Sequence, residues 1–212
     1  VHYTFDEDDI EGTLVKDISG NGYNATLVGG ATPTTQNTIE ALGGAIDLDG
    51  STGYIEMPKN LVQNLNLEKM TIATWVKANK DIANQSIFDF ASETGRVANR
   101  NTMYLSTNGD TGQLEFATIT PFSEKFGSTS TKLGANYKYA VRASKIDINT
   151  WHHVAINIDD FDAVLYVDGE EVARSATYNI EPRMLLETTM NYIGKSRNAG
   201  HKLFDGQFDD FR

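Results

Sequence analysis

Apolar and polar residues alternate in short runs along most of this chain, which is the period of a β-strand. The runs are rich in β-branched and aromatic residues and are bounded by Gly, Asn, Asp or Ser. Ten of them stand out: residues 45–50, 54–58, 71–78, 86–92, 102–107, 113–120, 151–159, 163–173, 190–196 and 206–211. Because almost no helical period accompanies them, the pattern predicts an all-β sandwich.

Some runs also predict where a strand lies or turns. Residues 71–77 and 163–167 are apolar on both faces, which is typical of central strands. Asp168 and Gly169 predict a type I′ hairpin turn, in which both central residues need positive φ. Residues 120–149 lack a clean period, and we expect a long excursion there with one hairpin. Such excursions often carry binding residues.

Composition narrows the class of protein. The chain has 212 residues, 18 Lys and Arg against 29 Asp and Glu, a formal charge of -11 and no cysteine. That charge disfavours nucleic acid and anionic membrane surfaces as partners, and the missing cysteines exclude disulfides and thiol chemistry. No apolar run is long enough to span a bilayer. We expect residues 1–212 to form a single domain, excised from a larger multidomain protein.

The order of several motifs resembles that of laminin G-like domains of the concanavalin A-like lectin/glucanase superfamily. The motifs are "YTFDE", "DISGNGYNATLVGG", "AIDLDGSTGYIEMP", "MTIATWVKA", "WHHVAINID", "LYVDGEEVA", "YIGKS" and "FDGQFDDFR". The resemblance implies a jelly-roll sandwich of two antiparallel sheets with paired terminal strands. It also implies a structural calcium and a frequent role as an accessory module beside glycoside hydrolase domains of secreted bacterial proteins, so we expect a secreted or cell-surface location.

The stretch "DISGNGYNAT", residues 17–26, crowds oxygen-bearing side chains into one loop. Calcium takes ~6 to 8 oxygen ligands from carboxylates, amides and carbonyls, and the terminal strands that the resemblance pairs would add further acids. The candidate ligands are Asp6, Glu7, Asp17, Asn21, Asp209 and Asp210. The alternative is that these carboxylates are solvated turn and edge residues. A donor set of oxygens alone favours calcium over zinc or copper.

Catalytic motifs are missing from the sequence. No Glu-x-Asp-x-x-Glu run of the kind that glycanases on this fold carry is present, and no G-x-S-x-G elbow or phosphate loop occurs. Alternation places His152 and His153 on opposite sides of one strand, and we expect a structural role for both. Trp75 and Trp151 are expected in the core. The sequence therefore favours a non-catalytic binding module.

Loop aromatics and planar polar groups suggest a glycan site, since sugars stack on aromatic rings and pair their hydroxyls with Asn, Asp and Arg. The candidate ligand-binding residues are Arg96, Asn99, Arg100, Asn101, Tyr104, Tyr137, Tyr139 and Arg142. Arg197, Asn198 and His201 extend the list. Three alternatives stay open: ordinary solvated loops; a protein-interaction or architectural domain without a sugar site, packed against neighbouring domains of the same chain; and a glycanase with atypical carboxylates.

Overall fold

Each of the ten alternating runs coincides with a β-strand, to within three residues at the ends, or with two strands for residues 163–173, in the computed structural model. The structure describes residues 1–36, 38–59, 61–62, 68–92, 101–108, 113–120, 137–159, 162–178, 180–185 and 188–212. The strands are β1 (Ile10–Glu11), β2 (Leu14–Val15), β3 (Ala25–Val28), β4 (Thr32–Thr34), β5 (Ala45–Asp49), β6 (Tyr54–Met57), β7 (Met70–Ala78), β8 (Ser86–Ala91), β9 (Thr102–Asn108), β10 (Gln113–Thr120), β11 (Tyr137–Ala143), β12 (His152–Asp159), β13 (Asp162–Val167), β14 (Glu170–Ser175), β15 (Met190–Ile193) and β16 (Asp205–Asp209). Short 3₁₀ helices cover Glu7–Asp9 and Pro182–Leu185.

The strands form two antiparallel sheets, as predicted. The nine-stranded sheet has the order β1-β2-β3-β6-β15-β8-β9-β10-β11, and the seven-stranded sheet has the order β14-β13-β12-β7-β16-β5-β4. Strands β1 to β4 lie outside the ten predicted runs. They have two to four residues each, which is too short for alternation to stand out from a loop.

The core fills the space between the inner faces of the two sheets. On β12, Val154, Ile156 and Ile158 are buried at alternate positions, as the sequence predicts. On the nine-stranded sheet, Leu105 and Phe116 lie opposite each other and are buried in the same core. Residues between these positions point outward, so the outer faces carry the side chains available for binding.

The expected core position of the two tryptophans was wrong. Trp75 and Trp151 are both only partly buried. Trp75 lies opposite His153 on the outer face of the seven-stranded sheet, where the two rings meet at 5.3 Å. The indole of Trp151 is covered by Lys77, whose ammonium lies 5.4 Å from the ring centroid. The alternation of side chains along the strand, and not the size of the indole, decides which face of the sheet a tryptophan occupies.

Two local predictions have different outcomes, since the turn is confirmed and the hairpin within 120–149 is not found as placed among the described residues of that segment. Asp168 and Gly169 have φ angles of 54° and 84°, the positive values of a type I′ turn between β13 and β14. Within 120–149 the described residues form one strand, β11, which pairs antiparallel with β10, so the pairing uses the preceding predicted strand and not a hairpin contained in the segment. The residues that connect these two strands, 121–136, lie outside the described part of the chain.

The two chain ends meet, as the resemblance implies. Tyr3 and Phe211 form an antiparallel bridge in which each backbone N–H donates to the other's carbonyl at 2.9 Å. Their rings stack at 6.2 Å, and the Phe211 ring also meets Phe88 of the nine-stranded sheet edge-on at 6.2 Å. This contact joins the C-terminus to both the N-terminus and the opposite sheet.

A carboxylate-centred turn carries the chain from the seven-stranded to the nine-stranded sheet between β5 and β6. Asp49 Oδ1 accepts backbone N–H groups of Ser51, Thr52 and Gly53 at 2.8 to 2.9 Å, and Oδ2 accepts the hydroxyls of Ser51 and Thr52 at 2.8 and 2.9 Å. These hydrogen bonds, chiefly the backbone ones, hold the pKa of Asp49 far below its ordinary value.

We expect Asp49→Ala to destabilise the fold by about 1 to 2 kcal/mol near neutral pH, because three backbone donors lose their acceptor. The depressed pKa makes this contribution complete above pH ~5. It is lost as the pH falls below the unfolded value near ~4. Urea unfolding of both proteins between pH 7 and 3 measures the difference. Exposed Asp8 supplies the control Asp8→Ala, and a difference that is constant with pH contradicts the prediction.

Candidate functional site

The outer face of the nine-stranded sheet brings together polar residues from four distant parts of the chain. We call Tyr104, Glu115, Lys138, Arg142 and His201 the outer-face patch. Glu115 lies opposite Arg142 on the neighbouring strand, and Tyr104 lies opposite Ala117, the next outward residue of β10. Alternation with buried core residues such as Phe116 fixes this outward direction.

Glu115 is the centre of the patch. Its Oε1 accepts the Tyr104 hydroxyl at 2.7 Å and the Lys138 ammonium at 2.6 Å. Its Oε2 accepts Nε and Nη2 of Arg142 at 2.7 and 2.6 Å. Burial raises the pKa of Glu115, but the hydrogen bonds from Lys138 and Tyr104 and the two positive charges outweigh it, so the pKa lies below its ordinary value. Glu115 is therefore ionised at neutral pH.

His201 adds a ring to the patch from the segment after β15. The imidazole packs edge-on against Tyr104 at 5.1 Å, and Nδ1 lies 3.1 Å from the Ser86 hydroxyl. Burial lowers the pKa of His201 below its ordinary value. The ring is therefore neutral at pH 7, so it contributes a polar ring to the patch but no charge.

A second buried carboxylate holds this segment on the sheet. Asp89 accepts the Ser196 hydroxyl at 2.6 Å, the Arg197 backbone N–H at 3.0 Å and the Thr102 hydroxyl. Arg197 Nη1 also donates to the Ser92 carbonyl at 2.7 Å. Burial raises the pKa of Asp89 to about 6 despite these bonds. Asp89 is 1% exposed, so it positions the segment and cannot reach a ligand.

The predicted ligand-binding residues separate into three groups. Tyr104 and Arg142 lie together in the outer-face patch. Asn101 is buried with its Oδ1 unpartnered, and Tyr139 packs its ring against buried Tyr178 at 6.2 Å, on the inner side of β11. Outside the described residues lie Arg96, Asn99, Arg100 and the side chain of Tyr137.

Sequence reasoning missed Glu115, Lys138 and Asp89. A signal was present: Glu115 and Asp89 are single acids inside apolar strands, where an unpaired charge is costly. Such an acid implies a partner, but the partner of Glu115 comes from a strand beyond an irregular segment. The pairing of β10 with β11 was needed to identify it.

A different carboxylate lies where the chain ends meet. Asp209 is fully buried, and neither side-chain oxygen has a hydrogen-bond partner. Burial, with the charges of Asp210 and Asp6, raises the pKa of Asp209 to about 8, against the lowering effect of the nearby Asp210 backbone N–H, which does not reach hydrogen-bond geometry. A buried acid with two orphaned oxygens fits a cation site, because a bound cation would compensate its charge.

Asp6 is held beside Asp209 by a glycine turn. Its Oδ1 accepts the Gly44 backbone N–H at 2.8 Å. Gly43 has a φ of 91°, and a Cβ at this position would lie 2.1 Å from Asp6 Oδ1. The turn therefore needs glycine for conformation and for space, and the Asp6 carboxylate occupies that space.

The other metal candidates have different surroundings. Asp17 accepts backbone N–H groups of His2, Ser19 and Tyr23 at 2.8 to 3.1 Å, so its oxygens organise the "DISGNG" loop. Asp210 pairs with His2 Nε2 at 2.7 Å and Arg212 Nη2 at 2.8 Å. Glu7 and Asn21 are exposed.

Within the described residues, no group of three or more His, Cys, Asp or Glu side chains is arranged to hold a metal ion. Asp6 and Asp209 would need backbone carbonyls or water to complete a calcium shell.

The two consecutive histidines of β12 each contact a different residue of the fold. His152 Nδ1 lies 2.7 Å from Asp168 Oδ2 of the type I′ turn, which confirms the prediction of a hydrogen-bonded, inward-facing histidine. His153 stands on the outer face against Trp75. Neither side chain belongs to the outer-face patch.

Comparison with known families decides the classification. The laminin G model of the concanavalin A-like lectin/glucanases superfamily matches residues 49–212, more than half of the chain. The chain belongs to this superfamily. A comparison with curated proteins gave no match. No helix in the described part of this superfamily member has the length and apolar character needed to cross a membrane.

Solved structures share the fold at low sequence identity. Domain 4 of AbnA, a GH43 extracellular arabinanase from Geobacillus stearothermophilus in complex with arabinotriose, has a TM-score of 0.71 and 20% identity, over 100% of this chain and 89% of that one. The Ruminococcus gnavus IT-sialidase CBM40 bound to α2,3-sialyllactose has a TM-score of 0.52 and 15% identity, over 79% and 88%. Trypanosoma rangeli sialidase has a TM-score of 0.62 and 15% identity, over 99% of this chain but only 29% of that enzyme.

Asp17→Ala tests whether Asp17 organises the loop or ligates a cation. Because three backbone donors lose their acceptor, we expect a loss of about 1 to 3 kcal/mol in calcium and in chelator alike. Asn21→Ala, at an exposed candidate in the same loop, should change stability by less than about 0.5 kcal/mol. Thermal unfolding measures both variants. A loss confined to calcium-containing buffer would assign Asp17 to the metal instead.

Proposed function

We propose that this chain is a non-catalytic carbohydrate-binding accessory module that binds a glycan at the outer-face patch and contains a structural calcium. The observation that carries the proposal is the convergence of Tyr104, Lys138, Arg142 and His201 around one buried carboxylate on an outer sheet face. Polar groups from several segments, fixed by a satisfied buried partner, are what a pre-organised sugar site requires.

The carboxylates of this face support binding over hydrolysis. A glycosidase needs two carboxyl groups that can reach the scissile bond, ~5 to 9.5 Å apart. Glu115 is enclosed by Lys138, Arg142 and Tyr104, and Asp89 is enclosed by hydroxyl and backbone donors. Glu115 is ionised and so has no proton to give to a sugar, and Asp89 is 1% exposed and cannot reach one.

Related structures support the same class of function. The arabinanase domain 4 is complexed with arabinotriose, and the CBM40 module with sialyllactose. The match to this chain covers 89% and 88% of those two chains. The sialidase match spans a minor part of a larger enzyme. By analogy, this chain serves as a module of a larger secreted or cell-surface protein, and a glycoside hydrolase is the expected neighbour.

The calcium site in this proposal lies at the meeting chain ends. Asp209 supplies two unpartnered buried oxygens, and Asp6, fixed by the Gly43 turn, supplies a second carboxylate. All-oxygen ligands favour calcium. A bound calcium would compensate the buried charge of Asp209 and so hold the N- and C-terminal segments together.

Calcium should therefore raise the melting temperature, by about 5 to 10 °C at a hundred times its Kd. Chelator should remove the effect and zinc should not restore it. Asp209→Asn should abolish the calcium response. In chelator at neutral pH this variant should melt at or above the parent, because folding of the metal-free parent must protonate Asp209 at a pH well above its unfolded pKa, and asparagine removes that cost. Scanning calorimetry in EDTA, calcium and zinc measures all three effects.

Asp8→Asn is the matched control, since Asp8 is an exposed acid in the same N-terminal segment. It should keep the full calcium response. A parent protein that is shown to be metal-free and melts unchanged in calcium would refute the site.

Glycan binding should depend on the patch. We expect retardation of the parent in at least one polysaccharide affinity gel, with loss of retardation in Arg142→Ala. Arg174→Ala is the control: Arg174 is an exposed arginine on the seven-stranded sheet, paired with Glu171, and should bind like the parent. Binding should be weak, because hydroxyl hydrogen bonds replace those made to water.

Two results would redirect the assignment. If the parent binds a glycan and Arg142→Ala binds equally well, the sugar lies elsewhere on the molecule. If the parent binds nothing on a broad glycan array, a protein-interaction domain becomes the better interpretation.

A further inference from the structure

The exposed part of the outer-face patch is cationic, although the whole chain carries a formal charge of -11. The side chains of Lys138 and Arg142 are 41% and 48% exposed, whereas that of Glu115 between them is 2% exposed. The negative charge is therefore covered by the two positive groups. A ligand arriving from solvent meets an ammonium and a guanidinium.

The charges of this cluster do not balance. Lys138 and Arg142 contribute two positive charges, and the one carboxylate that they share neutralises one of them. On the described outer face of β9 to β11, Glu115 is the only acid, and half-buried Ala140 lies between the two basic residues on β11. Asp89 lies opposite Tyr104 on the neighbouring strand β8, but it is buried under hydroxyl and backbone donors and has the positive charge of Arg197 beside it. One further negative charge would balance the cluster.

Unused donors are also present. Of the three Lys138 N–H groups, one is directed at Glu115, and of the five Arg142 N–H groups, Nε and Nη2 are directed at Glu115. The rest have no hydrogen-bond acceptor within the described residues, although the Lys138 ammonium also lies 5.7 Å from the centroid of the Tyr104 ring. The Lys138 ammonium and the Arg142 guanidinium each donate to an oxygen of the same carboxylate, at 2.6 and 2.7 Å. A second carboxylate that approaches from the solvent side can therefore bridge the two groups.

We infer that the patch recognises the carboxylate of an acidic sugar, a uronic or a sialic acid. This inference rests on the proposed function and specifies its ligand class. Glu115 acts as a positioning residue that pairs with both cations, and the sugar carboxylate supplies the second anion. Charge-assisted hydrogen bonds of this kind are about twice as strong as neutral ones, so the carboxylate dominates affinity and neutral hydroxyls add direction.

Matched ligand pairs test this inference. Isothermal titration compares trigalacturonic acid with its methyl ester, and α2,3-sialyllactose with lactose, at low and at physiological salt. In at least one pair the acid should bind tenfold or more tightly than its neutral partner, and the preference should weaken with salt. Arg142→Gln and Lys138→Gln should each remove most of the preference, and Arg142→Lys should retain part of it.

Lys145→Gln is the control variant, since Lys145 is an exposed lysine that pairs with Asp81 away from the patch. It should leave the preference unchanged. Melting curves of all variants identify any folding defect; if Arg142→Gln unfolds, Lys138→Gln decides, because Glu115 keeps Arg142 and Tyr104 as partners there.

Three results would overturn the inference. Equal affinity for acid and neutral partners, or an acid preference that survives both glutamine variants, removes the carboxylate site and leaves the proposed glycan binding intact. A sulfated oligosaccharide that binds while all carboxylates fail replaces a sugar acid with a sulfate ester. Failure of every glycan, acidic and neutral, removes the proposed function as well.

Discussion

The structure depends on the meeting of its two chain ends. Tyr3 and Phe211 exchange backbone hydrogen bonds, and the ring of Phe211 packs against Phe88 on the opposite sheet. A sandwich of this kind buries its core only when the first and last segments are in place, because those segments fill the space between the sheets. The same contact brings Asp6 and Asp209 together from opposite ends of the sequence.

Three buried carboxylates show three ways of handling a charge that has left water. Glu115 has two cations and a phenol, which keep it ionised. Asp89 has only hydroxyl and backbone donors, and its pKa rises. Asp209 has no donor in hydrogen-bond geometry at either oxygen, and its pKa rises further. Compensation of the buried charge thus decreases from Glu115 of the outer-face patch, through the structural anchor Asp89, to Asp209, where we propose the cation site.

The direction of each side chain follows from strand alternation and decides what it can bind. Tyr139 and Arg142 were grouped in sequence, yet they point to opposite sides of β11: Tyr139 packs on Tyr178 and Arg142 pairs with Glu115. Asn101 and Tyr104 separate in the same way, since one is buried with its Oδ1 unpartnered and the other belongs to the patch. Residue type alone does not distinguish these cases.

The sequence by itself determined the fold class, the ten strand runs and the Asp168–Gly169 turn, because alternation and turn chemistry are local properties. It also indicated that the chain ends carry clustered acids. Only the tertiary structure decided that Asp17 organises a loop while Asp209 is left without donors, and that Lys138 and Arg142 share Glu115. The Glu115 contacts join strands separated by an irregular segment and depend on strand register, and the burial of Asp209 depends on the packing of the chain ends. No local pattern contains either property.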